Sequence, residues 1–282
     1  NRSSNQLVGI PLPATTGFSS INANLDATVE NTGWELGLHT ITVRSDAFQW
    51  STSLNLTFPK NKLVAFPDLE GSTYANQYVI GQPLGITKVY QMERVNPETG
   101  LYEFTDFNGD GNISSLEDKQ VLRDLSPKYY GGLTNSLVYR KFSLDIFFQF
   151  TKQLGYNLWS RDIMPGDMLN QPREVQQRWQ TIGDQVDVQR YATSSTQEAR
   201  TANTLHSQSD AAISDASFIR LRNLSISYQL STKQDNGVGC LLFLRGQNLL
   251  TITRYNGLDP EISSNSTVPA LRFITLGTQL TF

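Results

Sequence analysis

The chain has 282 residues and a net charge of -3, with only 17% of its residues charged and no basic patch, which excludes a nucleic-acid partner. A single cysteine, Cys240, and two distant histidines, His39 and His206, exclude a disulfide framework and leave no cysteine- or histidine-rich set for a metal. No apolar run reaches the roughly 18 residues of a transmembrane helix, whereas membrane-spanning strands need only about 9–11 residues of alternating polarity.

Residues 6–10 and 21–30 are weak strand candidates, and residues 34–43 form the next predicted strand, closed by a short connection at 44–46. From Phe48 to Phe58, one face carries Phe48, Trp50, Thr52, Leu54, Leu56 and Phe58, and the other carries Gln49, Ser51, Ser53, Asn55 and Thr57. This period of two marks a strand with unlike faces. Residues 84–92 and 133–139 are further candidates. A two-residue connection, Arg140-Lys141, leads into a strand with Phe142, Leu144, Ile146, Phe148 and Phe150 on one side and Ser143, Asp145, Phe147 and Gln149 on the other. In the long connection 151–217, Pro172, Val175, Trp179 and Ile182 recur at helical spacing before Gly183, which predicts one short amphipathic helix. Leu224, Ile226, Tyr228 and Leu230 then alternate with Ser225, Ser227 and Gln229, and residues 241–249 form another candidate. The last segment alternates Ile274, Leu276, Thr278, Leu280 and Phe282 with Thr275, Gly277, Gln279 and Thr281.

Short connections alternate with very long ones, at 91–129 and 151–217. That is the pattern of an all-β, antiparallel transmembrane barrel with short periplasmic turns and long outside loops, and compact soluble domains seldom hold such loops. A secreted β-sandwich, as a calcium-binding adhesin or glycan-binding module, also alternates and stands as the alternative. If Phe282 ends at the periplasm, residues 91–129, 151–217 and 251–270 lie outside. Bringing 44–46 to the periplasm then requires a further crossing strand, for which residues 74–80 are the candidate. The total is roughly nine or ten strands, an even number being expected. The expected membrane-facing set is Trp50, Leu54, Leu56, Phe142, Leu144, Ile146, Phe148, Leu276, Leu280 and Phe282. Nothing in the sequence suggests a plug domain, and the inner faces are too small and polar to fill a small barrel. Residues 1–282 are therefore read as the C-terminal section of a wider barrel.

Asp106, Asn108 and Asp110, with Gly111 sixth, Asn112 seventh and Glu117 twelfth, fit a calcium-loop spacing in which alternate side chains converge on one hard cation. A tight Asx/Gly turn needing no metal explains the same residues equally well. Trp159 and Trp179 fall in loops and are candidates for stacking on sugar rings, against the commoner role of packing. Enzyme signatures such as G-x-S-x-G, a P-loop or H-E-x-x-H are lacking, so no enzyme is expected.

Several segments resemble the SusC/RagA family of TonB-dependent outer-membrane transporters. They are Leu12-Pro13-Ala14-Thr15-Thr16-Gly17-Phe18, Val29-Glu30-Asn31-Thr32-Gly33-Trp34-Glu35-Leu36 and Gly81-Gln82-Pro83-Leu84-Gly85. Asn96-Pro97-Glu98-Thr99-Gly100, Asp106-Phe107-Asn108-Gly109-Asp110-Gly111 and Pro127-Lys128-Tyr129-Tyr130-Gly131-Gly132 follow in the same order. Ser217-Phe218-Ile219-Arg220-Leu221-Arg222-Asn223-Leu224, Gly246-Gln247-Asn248-Leu249 and Gly257-Leu258-Asp259-Pro260-Glu261 continue it, and the chain ends on Phe282. The resemblance spans nearly the whole chain and matches the C-terminal third or so of such a transporter. It implies a barrel of about 22 strands in the outer membrane of a Gram-negative, Bacteroidetes-type bacterium. It further implies import of oligosaccharides or peptides, a SusD-like surface lipoprotein as lid, and energy delivered by TonB through segments N-terminal to these.

Overall fold

Alternating polarity produces strands, and the computed structural model shows them in the residues it describes, 1–11, 14–193, 196–232, 237–262 and 267–282. In chain order they are β1 (Arg2–Pro11), β2 (Ser20–Arg44), β3 (Phe48–Ala65), β4 (Ile86–Val89), β5 (Met92–Val95), β6 (Tyr102–Phe104) and β7 (Val121–Asp124). There follow β8 (Tyr129–Tyr139), β9 (Phe142–Lys152), β10 (Leu154–Tyr156), β11 (Ile213–Asp215), β12 (Phe218–Ser231), β13 (Gly239–Thr253) and β14 (Phe273–Thr281). A helix, α1 (Gln197–Ser207), lies between β10 and β11.

Eight of these strands form one sheet in the order β1-β2-β3-β8-β9-β12-β13-β14, and each neighbouring pair is antiparallel. No second sheet covers it among the described residues, so the sandwich alternative is not the fold. The remaining strands pair in twos within the loops, as β4-β7, β5-β6 and β10-β11.

The register lays out two unlike faces. Val43, Trp50, Leu137, Leu144, Ile226, Leu244 and Leu276 stand opposite one another in a single row from β2 to β14. One residue along, Ser51, Ser136, Asp145, Ser225, Arg245 and Thr275 form the matching row on the other face. A shift of one residue would exchange the two faces, so this pattern pins the pairing. Three polar side chains on the apolar face bond to one another. Trp50 Nε1 donates to Asn135 Oδ1 at 3.0 Å, and Thr52 Oγ1 donates to the same oxygen at 2.8 Å.

Three expectations from the sequence change. Residues 21–30 and 34–43 belong to one 25-residue strand, β2. Residues 74–80 form no strand; Tyr74 and Tyr78 instead pack on a core of Ala27, Leu63 and Phe66. Residues 84–92 supply only the short loop strand β4 and the start of β5. The last two corrections cancel. Since 84–92 does not cross, no extra crossing is needed to bring the short connections at 45–47, 140–141 and 232–238 to one end of the sheet. The expected turn at 231–239 includes residues 233–236, which lie outside the described residues, as do Leu12 and Pro13 of the first motif.

The opposite end carries the loops. There β3 loses its second partner, because pairing with β8 stops at Thr57↔Tyr130. Pro59 comes just beyond that point and faces Gly33 on β2. A proline has no N–H for a neighbour, so it suits a strand whose one side is unpaired. A Cβ at Gly33 would sit 2.8 Å from the Phe58 carbonyl oxygen, which is why that close approach needs glycine. From here β2 and β3 continue outward as a ribbon, and β1 pairs with its Ser20–Glu30 part.

Candidate functional site

At the loop end of the polar face, β12 and the segment after β13 build a buried ionic cluster. Register shifts between Leu221 and Asn223 on β12, opposite Leu250 and Gln247 on β13. The bulge leaves Arg222 on β12 and Asn248 and Leu249 on β13 unpaired, and Asn248 adopts φ 52. Asparagine tolerates that left-handed conformation. The extra residue turns a second arginine toward the side occupied by Arg220.

Arg220 is 3% exposed. Its guanidinium donates to Asp259 Oδ1 at 2.7 Å, to Glu261 Oε2 at 2.7 Å and to Thr251 Oγ1 at 3.0 Å. Arg222 donates to Glu261 Oε1, to Gln149 Oε1 at 2.5 Å and to Asn248 Oδ1 at 3.0 Å. Gln153 Nε2 donates to the Pro260 carbonyl at 2.7 Å. The Asp259-Pro260-Glu261 segment is thereby clamped onto β9 and β12. Arginine suits this task because its planar fork of donors matches two carboxylates at once.

The second group of candidates lies in the loop between β6 and β7. Asp106 accepts from the N–H groups of Gly109 at 2.7 Å and Gly111 at 2.8 Å. Asn108 Oδ1 accepts from Asp110 N, and Asp110 Oδ1 accepts from Asn112 N. Those amide donors, that of Gly111 foremost, hold the Asp106 carboxyl below its usual range. Glu117 accepts from Ser114 Oγ at 3.1 Å. The residue that closes the loop is Asp118, fully buried, which accepts from Phe107 N at 2.8 Å and Ser114 N at 2.7 Å. Among the described residues no three His, Cys, Asp or Glu side chains converge as a metal-holding group. Asp106, Asn108, Asp110 and Asp118 each accept from backbone amides of the loop itself.

The two candidate tryptophans sit in the loop body. Trp179 Nε1 donates to the Pro97 carbonyl at 3.0 Å, and its ring lies against Gly100, where an added Cβ would come within 2.5 Å. It packs on the cluster of Val95, Tyr102 and Ala202. Trp159 meets His206 edge-on at 5.7 Å, and His206 stacks on Tyr102 at 3.9 Å. Burial of the His206 imidazole lowers its pKa to about 4. The helix expected around 172–183 is a single 3-10 turn, Arg173–Gln177, and the true helix is α1.

The expected membrane-facing residues do share a face. Trp50, Leu144 and Leu276 are in the row given above. Leu54 stands in register with Leu133, which pairs with Phe148. Leu56 pairs with Gly131 and Ile146 with Leu224, while Phe142 follows from Tyr139 and Leu280 pairs with Cys240. Phe282 lies one residue past β14 and is exposed. Much of this face has no protein over it, Leu276 being 82% exposed.

Strands β8 and β9, 11 residues each, have the length that spans a bilayer. An antiparallel sheet with one bare apolar face, short turns at one end and long loops at the other is a section of a transmembrane β-barrel wall. Relatives agree. The chain is 28% identical over 319 residues to the TonB-dependent receptor P3 of Formosa agariphila, covering 96% of this chain and 30% of that protein. It is 25% identical to the TonB-dependent receptor SusC of Bacteroides thetaiotaomicron, covering 98% of this chain and 29% of that protein. The RagAB peptide transporter structure superposes with a TM-score of 0.78 at 21% identity, over all of this chain and 32% of the other. No family model matches. In sequence and fold the chain is similar to the SusC/RagA kind of TonB-dependent outer-membrane transporter, and it spans about 30% of the length of the curated relatives.

Proposed function

We propose that this chain forms wall and outside loops of a TonB-dependent importer in the outer membrane of a Bacteroidetes-type bacterium. Its apolar face meets the lipid bilayer and its polar face lines the lumen. The uncovered apolar row from Val43 to Leu276, set against the polar row from Ser51 to Thr275, carries this reading. In lipid every strand must find its hydrogen bonds within the wall, which an unbroken antiparallel sheet supplies. The cargo is a glycan or a peptide, the partner at the loop end is a SusD-like lipoprotein, and TonB supplies the energy. The clamp of Arg220 and Arg222 on Asp259 and Glu261 fixes one outside loop in the shape the lipoprotein meets. For the Asp106–Glu117 loop, the geometry favours a self-satisfied Asx turn over a Ca²⁺ site. The full-length protein is expected in the outer-membrane fraction, extractable only with detergent and together with its lipoprotein. Recovery as a detergent-free soluble monomer would overturn the reading.

A further inference from the structure

One strand face records where the bilayer should end. Along β3 the residues on the apolar side run Trp50, Thr52, Leu54, Leu56 and Phe58, and then Lys60. On β2, Trp34 stands in register with Phe58 and is 81% exposed, while Tyr129 at the start of β8 meets the Phe58 ring at 5.8 Å. Aromatic side chains at this height sit where hydrocarbon gives way to headgroups.

Beyond Phe58, where β8 leaves β3, a cleft of about 800 Å³ opens between the β2-β3 ribbon and the segment before β8. Trp34, Phe58, Lys60 and Lys128 line it, and Asp124 is the one carboxylate in its lining. Asp124 Oδ1 accepts from Ser126 N at 3.0 Å. Both lysines are exposed, and among the described residues no ion pair joins Lys60 or Lys128 to a carboxylate.

We propose that this cleft binds the net-anionic, phosphate-bearing headgroup of an outer-leaflet membrane lipid. Lys60 and Lys128 hold the phosphate, and Trp34 and Phe58 lie against the glycerol or sugar and the first methylenes of the chains. The inference rests on the lipid-facing reading of the apolar wall. Two features argue for a lipid over a soluble anion. The cleft shares Trp34 and Phe58 with the bare apolar face, and those rings have no use for a free phosphate. Lysine presents a point charge that a phosphate monoester or diester accepts in any rotation, and a lysine at a membrane surface contributes measurably to anionic-lipid binding.

The test is native mass spectrometry of the full-length protein in detergent micelles, titrated with short-chain phosphatidylglycerol, short-chain phosphatidylcholine or inorganic phosphate. The expected result is saturable binding of phosphatidylglycerol, about fivefold weaker in Lys60→Gln and again in Lys128→Gln, weaker in Trp34→Ala, and unaffected by inorganic phosphate. Trp34 and both lysines are exposed, so these variants fold. Equal binding of phosphatidylcholine, unchanged binding in the lysine variants, or full competition by inorganic phosphate would overturn the proposal. Any of these in a protein that still needs detergent would leave the barrel reading intact.

Discussion

Arg220 and Asp259 meet at 2.7 Å with both side chains only 4% exposed, although 39 positions separate them in the chain. One sits on a wall strand and the other in the loop between β13 and β14, so the pair is the joint between wall and loop. Removing Arg220 leaves the buried Asp259 carboxylate without a cation, which costs on the order of 3–5 kcal/mol, whereas removing Asp259 still leaves Arg220 its Glu261 partner. Arg220→Met is expected to loosen the loop while the wall strands stay paired. Limited proteolysis in detergent should cut residues 254–272 many times faster than in the parent protein. Replacing both residues, as Arg220→Met with Asp259→Leu, should restore most of the resistance, because no unpaired charge remains. Equal cutting in the single and double variants would count against the joint.

His206 gives the loop body a pH dependence. In the folded state its imidazole stays neutral down to about pH 4, against an ordinary value of 6.5. An opened loop therefore binds the proton first. Above pH 6.5 there is no penalty. As pH falls from 6.5 toward 4 the folded loop loses stability, up to on the order of 3 kcal/mol. Hydrogen exchange of α1, corrected for the intrinsic slowing of amide exchange as pH falls, should rise between pH 7 and pH 4.5. In His206→Phe, which keeps an aromatic ring beside Tyr102, that rise should vanish; a rise of the same size in the variant would remove His206 as its cause.

Asp118 holds the loop between β6 and β7 through two backbone amides. Asp118→Ala leaves the Phe107 and Ser114 N–H groups without their acceptor, at about 1–3 kcal/mol each for a buried group. Protease cutting within residues 106–118 should increase in this variant. Because the carboxylates already accept from their own loop, chelation with EDTA should leave the parent loop unchanged. A marked increase in cutting on chelation would show that an ion holds it.

The wall was legible because its alternation is nearly unmixed. Phe48 to Phe58 and Phe142 to Phe150 keep period two with Thr52 and Phe147 as the exceptions, and both are strands as expected. Loop segments were not legible, since short apolar stretches there serve a local core. Tyr74 and Tyr78 have strand-like spacing but pack under the β2-β3 ribbon. Helix α1 hid for the opposite reason. Its buried side is Ala199, Ala202, Asn203 and His206, at helical spacing but with small or polar residues that carry no hydrophobic signal. The arginine cluster was visible only as separate motifs. Ser217 to Leu224 and Gly257 to Glu261 each stood out, yet the bulge that brings Arg222 to Glu261 is a property of the paired strands and has no mark in either segment.

The central claim is that the two faces of the sheet meet different solvents. Single cysteines, in a Cys240→Ser background, at Leu144, Ile226 and Leu276 on one face and at Ser143, Ser225 and Thr275 on the other can be spin-labelled and the full-length protein reconstituted in bilayers. The account predicts that the first three labels collide with dissolved oxygen and are shielded from a water-soluble nickel chelate, with the reverse for the second three. Equal access of the nickel chelate to both sets would contradict it.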